Sequence, residues 1–507
     1  MATYNPELLE RIKAVGGGTW LKQERWWKFP PAAASRIEQV LGVSLPTPPE
    51  LPESFKSSEL WQRLYPFQRE NVEYFLSHRR ALIADEMGLG KTLSALTCLE
   101  ALATVEKAFP ALIVCPASLK QNWAREIEKW VPHRSYVILS GTTPAPFSPP
   151  EITIINYDVL IAWLDTLLGA GFRSLVLDEA HMIKNARAQR TKAARKIAKF
   201  VPAVLLLTGT PILNRPVELV EPLRALGYLD SCFGGWKYFV FRYCAARQTA
   251  FGLDTRGASN LSELREKLVA TCMVRHTRQQ VLSQLPQQRR ISIVLDLDDA
   301  TAYQAAESEF ISEALSRPQR MRLSEALPFI AKMRLAAARA KFPNLIRWVE
   351  DLLEQCPDEK ILLFAWHREI QQRLYDHFGA RAMLLHADLT TAERQAVVDA
   401  FTGSAPRVLV ASLAIGSFGF NITAASQVVF AELGWTPALH EQAESRAVRI
   451  GQQRPVTAWY LLAAGTIEED MARILDRKRV TVGAVNDGIQ QELLDHLLKK
   501  FVPGGSP

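Results

Sequence analysis

Short, wholly apolar runs recur along the chain, separated by longer stretches that mix apolar and charged residues. The first set is ALIA (81–84), ALIVC (111–115), ITII (152–155), SLVLD (174–178) and VLLLT (204–208). Unbroken apolarity, rather than alternation, marks strands buried on both faces, as in a parallel sheet covered by helices. The intervening segments are long enough for crossover helices, which predicts a doubly wound α/β domain. A second set follows: ILLFA (361–365), MLLH (383–386), VLVAS (408–412), VVFAEL (428–433) and AWYLLAA (458–464). The chain is therefore expected to build a similar sheet twice. Between the sets, 231–340 lacks such runs and is rich in Ala, Leu, Glu and Arg, and reads as helical. The GGG at 16–18, the PTPPELPES tract at 46–54 and the terminal PGGSP read as loops or linkers. These boundaries give a small appendage over 1–50, a first lobe over 55–230, a helical insertion over 231–340, a second lobe over 341–480, and a helix and tail over 481–507.

A length of 507 residues is too great for one ordinary core, in keeping with two main domains. The net charge of +7 suits a polyanionic partner, although where the charge sits matters more than its sum. The six cysteines form no C-x-x-C pair and lie mostly in apolar runs, so they read as small buried hydrophobes in a reducing compartment. No secretory signal opens the chain, and no apolar run approaches the ~20 residues that cross a bilayer. The expectation is an intracellular protein without membrane contact, cytoplasmic or nucleoid-associated in a prokaryote or virus and nuclear in a eukaryote.

Chemistry concentrates at the ends of the predicted strands. ADEMGLGKT (84–92) follows the first strand and precedes a helix, the context a phosphate loop requires. Asp85, Glu86, Met87, Gly88, Leu89 and Gly90 would form the loop, its two glycines letting backbone N–H groups face phosphate oxygens. Lys91 would neutralise the β- and γ-phosphates of ATP, and the Thr92 hydroxyl would bind Mg²⁺. Asp85 stands where the usual pattern has its first glycine. DEAH (178–181) ends the fourth strand, where open α/β sheets place ligands. Asp178 is expected to hold Mg²⁺ and Glu179 to orient or deprotonate the attacking water. Alone, DEAH would read better as a solvated acidic cap; the phosphate loop on the same sheet favours ATP hydrolysis. TGTP (208–211) ends the fifth strand and reads equally as a turn or as a coupling element. Gln68, in YPFQRENVEYF (65–75), lies before the first strand, where an amide could read adenine.

Near the other end of the chain, QAESRAVRIGQ (442–452) carries Arg446 and Arg449. If helical, it places Gln442, Arg446 and Arg449 at i, i+4 and i+7 on one face. On a second sheet facing the first, that stripe would point at the ATP held by Lys91 and stabilise charge on the transferred phosphoryl group. A solvated basic helix face is the plainer alternative.

LYPFQREN, ADEMGLGKT, LIVCPASLKQNW, DEAHMIKN, LLLTGTPILN and QAESRAVRIGQ, in this order, resemble the helicase motifs of the Swi/Snf-type ATPases of helicase superfamily two. The likeness runs from about residue 60 to 485 and implies two tandem RecA-like lobes that translocate on double-stranded DNA. GASNLSELREKLVATCMVRHTRQQVLSQLP (257–286) is similar to that family's helical stretch after the first lobe. VVFAELGWTPALHEQAESRAVRIGQ is similar to the HepA-related subgroup that includes annealing helicases, and IKAVGGGTWLKQERWWKFP (12–30), with Trp20, Trp27 and Phe29, resembles a HARP-type recognition repeat. Leu413, Ser417 and Ala387 depart from residues usual in the family's DNA-facing loops. No zinc module or histone reader accompanies the motifs, which counts against a dedicated nucleosome remodeller.

The resemblance implies a monomeric, DNA-dependent ATPase acting on double-stranded or branched DNA, with ATP and Mg²⁺ as cofactors and Lys120 and Asn421 as DNA contacts. Such contacts go to phosphates and are largely sequence-independent. Two alternatives are an RNA helicase of superfamily two and a non-hydrolysing, ATP-gated DNA-binding scaffold.

Overall fold

The computed structural model describes residues 10–11, 19–21, 26–28, 49–209, 215–249, 252–255, 257–281, 288–316, 321–403, 406–413, 420–449, 452, 454–480 and 487–501. Two parallel sheets organise them. The first contains β1 (Arg80–Ile83), β2 (Ala111–Cys115), β3 (Tyr136–Ile138), β4 (Ile152–Asn156), β5 (Ser174–Leu177), β6 (Ala203–Leu207) and β7 (Met273–Val274), in the spatial order β7-β1-β6-β5-β2-β4-β3. The second contains β8 (Gln288–Leu295), β9 (Lys360–Ala365), β10 (Ala382–Leu385), β11 (Val408–Ser412), β12 (Ala425–Phe430) and β13 (Val456–Ala463), in the order β8-β13-β12-β9-β11-β10. Helices used below are α1 (Pro66–His78), α2 (Lys91–Val105), α3 (Lys120–Trp130), α4 (Gln189–Phe200), α5 (Val220–Leu226), α6 (Leu323–Gln355), α7 (Thr391–Gly403) and α8 (Pro437–Glu444).

The unbroken apolar runs form strands because each feeds two cores. In β2, Leu112 and Val114 pack into one cluster, while Ala111, Ile113 and Cys115 pack into another on the opposite face. In β9, Leu362 and Phe364 face one core and Ile361, Leu363 and Ala365 the other. Cys98, Cys115, Cys244 and Cys272 are buried free thiols, as their apolar neighbours predicted.

The segment expected to be helical needs correction. It holds helices, but it also supplies an edge strand to each sheet: β7 pairs with β1, and β8 pairs over its whole length with β13. β8 escaped a search for continuous apolar runs because an edge strand is half-exposed, and QRRISIVL alternates instead. A small antiparallel hairpin (Arg247–Thr249 with Gly252–Asp254) also lies there. Near the start of the chain, Thr19–Leu21 pairs antiparallel with Trp26–Lys28, setting Trp20 opposite Trp27; Phe29 and both glycine-rich ends lie outside the described residues. Among the described residues no helix is long and apolar enough to cross a membrane.

Candidate active site between the two sheets

The phosphate loop joins β1 to α2. Gly88 (φ 85°) and Gly90 (φ 72°) both occupy the left-handed region that side chains disfavour, and Gly90 caps α2. The helix therefore begins at Lys91, whose Nζ donates to the carbonyls of Asp85 (2.8 Å) and Glu86 (3.3 Å). Asp85, standing in for a glycine, is fully buried. Its carboxylate accepts from Asn71 Nδ2 (2.6 Å) and His276 N (2.8 Å), and lies 2.9 Å from His276 Nδ1. It anchors the loop to both α1 and the segment after β7. The Gln68 side chain is buried, with Oε1 accepting from Tyr65 N (3.1 Å) and Nε2 donating to Leu89 O (3.2 Å), so the amide braces the loop.

The acids follow β5. Asp178 Oδ2 accepts from Trp123 Nε1 (2.9 Å), Oδ1 accepts from Glu179 N (2.9 Å), and its carbonyl accepts from the Tyr157 hydroxyl (2.7 Å). Burial, together with the neighbouring Glu179 charge, pushes the Asp178 carboxyl up to about 6 against the pull of Trp123 and Lys91. Glu179 adopts a left-handed backbone (φ 50°, ψ 57°), a strained choice for a residue with a side chain. Burial would raise its carboxyl, but His181, Lys91 and Arg446 outweigh burial and hold it below the usual range. His181 Nδ1 is 3.2 Å from Glu179 Oε2, at ion-pair distance but without hydrogen-bond geometry. Burial lowers the Lys91 ammonium, against the attraction of Glu179, Asp85 and Asp178. After β6, a Cβ on Gly209 would lie 2.4 Å from Met87 Cγ and 3.4 Å from Lys91 Nζ, so this glycine permits the loop's close approach. Thr210 and Pro211 lie outside the described residues.

The second sheet meets this edge with one turn. The expected helix through 442–452 stops at Glu444, and Arg446 and Arg449 lie on the turn that follows, so the single-face stripe is not formed. The turn nevertheless delivers both arginines. One cleft, with about 80 Å³ of free space, is lined from the first sheet by Met87, Gly88, Gly90, Lys91, Thr92, Leu119, Asn122, Asp178 and Glu179, and from the second by Ser445, Arg446 and Arg449. A Cβ on Gly88 would lie 2.7 Å from Val448 O, which shows how tightly the turn abuts the loop. Burial, with Arg449 beside it, lowers the Arg446 guanidinium to about 9, and burial likewise lowers Arg449, with Glu126 and Asp178 opposing.

A chain of polar groups anchored on buried Arg278 and Glu444 links the lobes beside this cleft. Arg278 donates from Nη2 to Met87 O (2.6 Å) and from Nη1 to Gln288 Oε1 (3.1 Å). The Gln288 amide donates to Glu444 Oε2 (2.8 Å), and Glu444 also accepts from Arg290 and from the Tyr460 hydroxyl. Arg125 on α3 adds an exposed ion pair to Asp399 on α7 (3.4 Å).

Sequence reasoning missed Asn122, Ser445, Trp123 and Arg278. Asn122 and Trp123 lie in the CPASLKQNW motif, from which the sequence singles out only Lys120, as a DNA contact. Gln442 does not line the cleft; Lys120 and Asn421, expected to contact DNA, lie outside it, Lys120 donating to Ser140 Oγ (2.8 Å) and Asn421 exposed. Leu413 packs into the second lobe's core, and Ser417 lies outside the described residues.

The cleft suits a nucleoside triphosphate with Mg²⁺. Gly88 and Gly90 line the cleft with exposed backbone, a helix N-terminus and Lys91 offer positive charge, and Thr92 and Asp178 are hard oxygen donors. Among the described residues no group of three or more His, Cys, Asp or Glu could cage a metal by itself, so a cation here would share its ligands with the phosphates.

A nucleotide-binding sheet completed by a second sheet's arginines defines a helicase-like ATPase fold. Residues 67–337 match the SNF2-related domain and residues 344–451 the helicase conserved C-terminal domain. The chain belongs to the SNF2-related family. It is 33% identical over 95% of its length to the SWI/SNF-related matrix-associated actin-dependent regulator of chromatin subfamily A-like protein 1 of Xenopus tropicalis, of which it covers 54%. It is 34% identical over 87% of its length to the human DNA annealing helicase and endonuclease ZRANB3, of which it covers 42%. The chain thus spans about half the length of the curated relatives it matches. A solved Sulfolobus solfataricus SWI2/SNF2 ATPase core is 22% identical, covers 86% of this chain and 96% of its own, and gives a TM-score of 0.41.

Proposed function

We propose that this protein is a DNA-dependent ATPase that couples ATP hydrolysis to translocation on double-stranded DNA, and that it remodels or reanneals branched DNA. The observation that carries this reading is the composite cleft, in which Arg446 and Arg449 of one sheet line the same space as Lys91, Thr92, Asp178 and Glu179 of the other. Lys91 binds the β- and γ-phosphates. Glu179, strained into the cleft and held ionised, orients water and accepts its proton. Arg446 and Arg449 stabilise charge on the transferred group only while the lobes are together. Mg²⁺, held by Thr92 and Asp178, would neutralise phosphate charge. Parting of the lobes would admit the nucleotide, and their return carries movement to DNA.

Annealing of branched DNA is supported by the relatives named as annealing helicases, and a DNA-structure-reading appendage by the hairpin that sets Trp20 opposite Trp27. The test is ATPase activity with linear duplex, single-stranded, forked and RNA cofactors. Stimulation by duplex DNA, and more strongly by forks, is expected. Stronger stimulation by RNA would overturn the DNA assignment, and equal stimulation by forks and plain duplex would remove the branched-DNA part.

A further inference from the structure

The chain's excess of positive charge is concentrated in one place. From Ala180 to Val217 there is no aspartate or glutamate, but there are eight lysines and arginines, so this window carries +8 and the remainder of the +7 chain nets −1. Most of the window's charge falls on α4, whose twelve residues hold Arg190, Lys192, Arg195, Lys196 and Lys199. Packed against α5, this helix walls a cleft of about 830 Å³, lined by Lys192, Arg195, Lys196, Lys199 and Arg224 over a floor that includes Arg80 and Tyr228.

The cleft is rigidly built and is separate from the nucleotide site. Arg80 donates to the carbonyls of Ala198 (2.6 Å), Val201 (2.7 Å), Ala225 (2.9 Å) and Leu226 (2.9 Å), which pins the C-terminal ends of α4 and α5 together. Arg80 opens β1 and Val201 precedes β6, whereas the phosphate loop and Gly209 follow the opposite ends of those strands. The length of β6, roughly 16 Å at 3.3 Å per residue, therefore separates the two sites. Arg195 and Arg224 share the buried Glu221, but Lys192, Lys196 and Lys199 are exposed and meet no carboxylate among the described residues.

A solvated basic face is the plain alternative. Lys196 and Lys199 do complement the helix C-terminus, yet Arg190, Lys192 and Arg195 lie too far back for that, and like charges one turn apart weaken a helix. The spacing supplies a reason. Lys192, Lys196 and Lys199 fall at i, i+4 and i+7, a stripe about 10 Å long. Successive phosphates of one strand rise 3.4 Å along the axis and are spread farther by its winding, so lysines about 6 and 4.5 Å apart on long flexible stems can reach up to three neighbouring phosphates, where a lone anion would engage one.

We propose that this cleft binds the phosphate backbone of a second DNA segment, an arm of the substrate other than the one gripped by the motor. The inference rests on the DNA-translocase reading above. The test uses the full chain with Lys192, Lys196 and Lys199 all changed to Ala, and a companion with all three changed to Arg. Affinity for forked DNA and for a short linear duplex is measured between 50 and 200 mM salt. Three contacts should contribute about 2.7 to the salt slope, so the wild type's fork affinity should fall about forty times more steeply than the Ala variant's across that range. The Arg variant should keep the wild-type slope. Linear-duplex affinity and duplex-stimulated ATPase should stay within about twofold in all three proteins. An Ala variant with an unchanged fork slope, or one that loses fork and linear binding equally, would overturn the second-segment site while leaving the motor intact. Wild-type ATPase that no DNA stimulates would instead sink the translocase reading itself.

Discussion

The first sheet presents its chemistry from three neighbouring strands: Lys91 and Thr92 after β1, Gly209 after β6, Asp178 and Glu179 after β5. Among the described residues, the second sheet, of the same parallel plan, brings to the cleft only the turn Ser445–Arg449. The contrast extends to support. Asp85, Asp178 and Gln68 are buried and hydrogen-bonded within the first lobe, which therefore holds its groups in place whatever the second lobe does. The arginines reach the cleft from the second lobe, which meets the first at contacts such as Gly88 with Val448. On the motor reading proposed above, one half of the site is pre-organised and the other is conditional, which is the arrangement a motor needs if hydrolysis is to report closure.

Breaking the conditional half should cost most. Arg449→Ala is expected to lower kcat by about 10³-fold or more, the range for arginines supplied across an interface, while ATP still binds the first lobe. Steady-state ATPase beside nucleotide binding checks this, and an undiminished kcat would remove Arg449 from the site. Breaking the fixed half at Glu179→Gln should cost about 10²- to 10⁴-fold in kcat with binding again retained. Turnover near wild type would show that another group handles the water.

The fixed half also carries a pH signature. Asp178 titrates at about 6 in the folded protein, above the ordinary 3.8, so the folded state binds more protons than the unfolded chain between those values. Stability from this group is full below pH 4 and falls as pH rises through 6, a cost of roughly 3 kcal/mol at neutrality. Asp178→Asn should therefore raise the thermal midpoint at pH 7.5, abolish ATPase, and lose its stabilising advantage near pH 4. An advantage independent of pH would mean that the carboxyl is not destabilised by burial.

How legible each half was follows the same division. Strands such as β2 and β9 could be read because both faces are buried and every residue is apolar, and the loops at their ends carried recognisable spacing. β3 and β7, with three and two residues, offered too little pattern, and β8 alternated as an edge strand does. The turn after α8 could continue as helix on local sequence alone, because nothing local forbids one. Its backbone instead has a distant partner, since Arg446 O accepts from Ile422 N (2.9 Å), while the Gln452 side chain bridges the turn at Ala447 O (3.2 Å) to Ala425 O (2.9 Å). Arg278 lies about 190 positions from the loop carbonyl it meets, a pairing no window of sequence displays.

That pairing gives the smallest and most discriminating test of the contrast. Arg278 belongs to the fixed side through Met87 O and Glu86, Glu444 belongs to the conditional side at the end of α8, and the Gln288 amide touches both. Replacing Gln288 with Leu removes the link, while Glu444 keeps Arg290 and Tyr460, and Arg278 keeps Met87. A hydrogen bond to a charged group contributes roughly 1.5 kcal/mol, which corresponds to about tenfold in rate if it acts when the lobes are together. The expected result is therefore kcat lowered about tenfold under DNA stimulation, with unstimulated ATPase and nucleotide affinity within about twofold. A purely structural role would lower all three together. Equal losses, or none, would place the coupling of the lobes elsewhere, and the direct contact of Val448 with Gly88 would be the next place to cut.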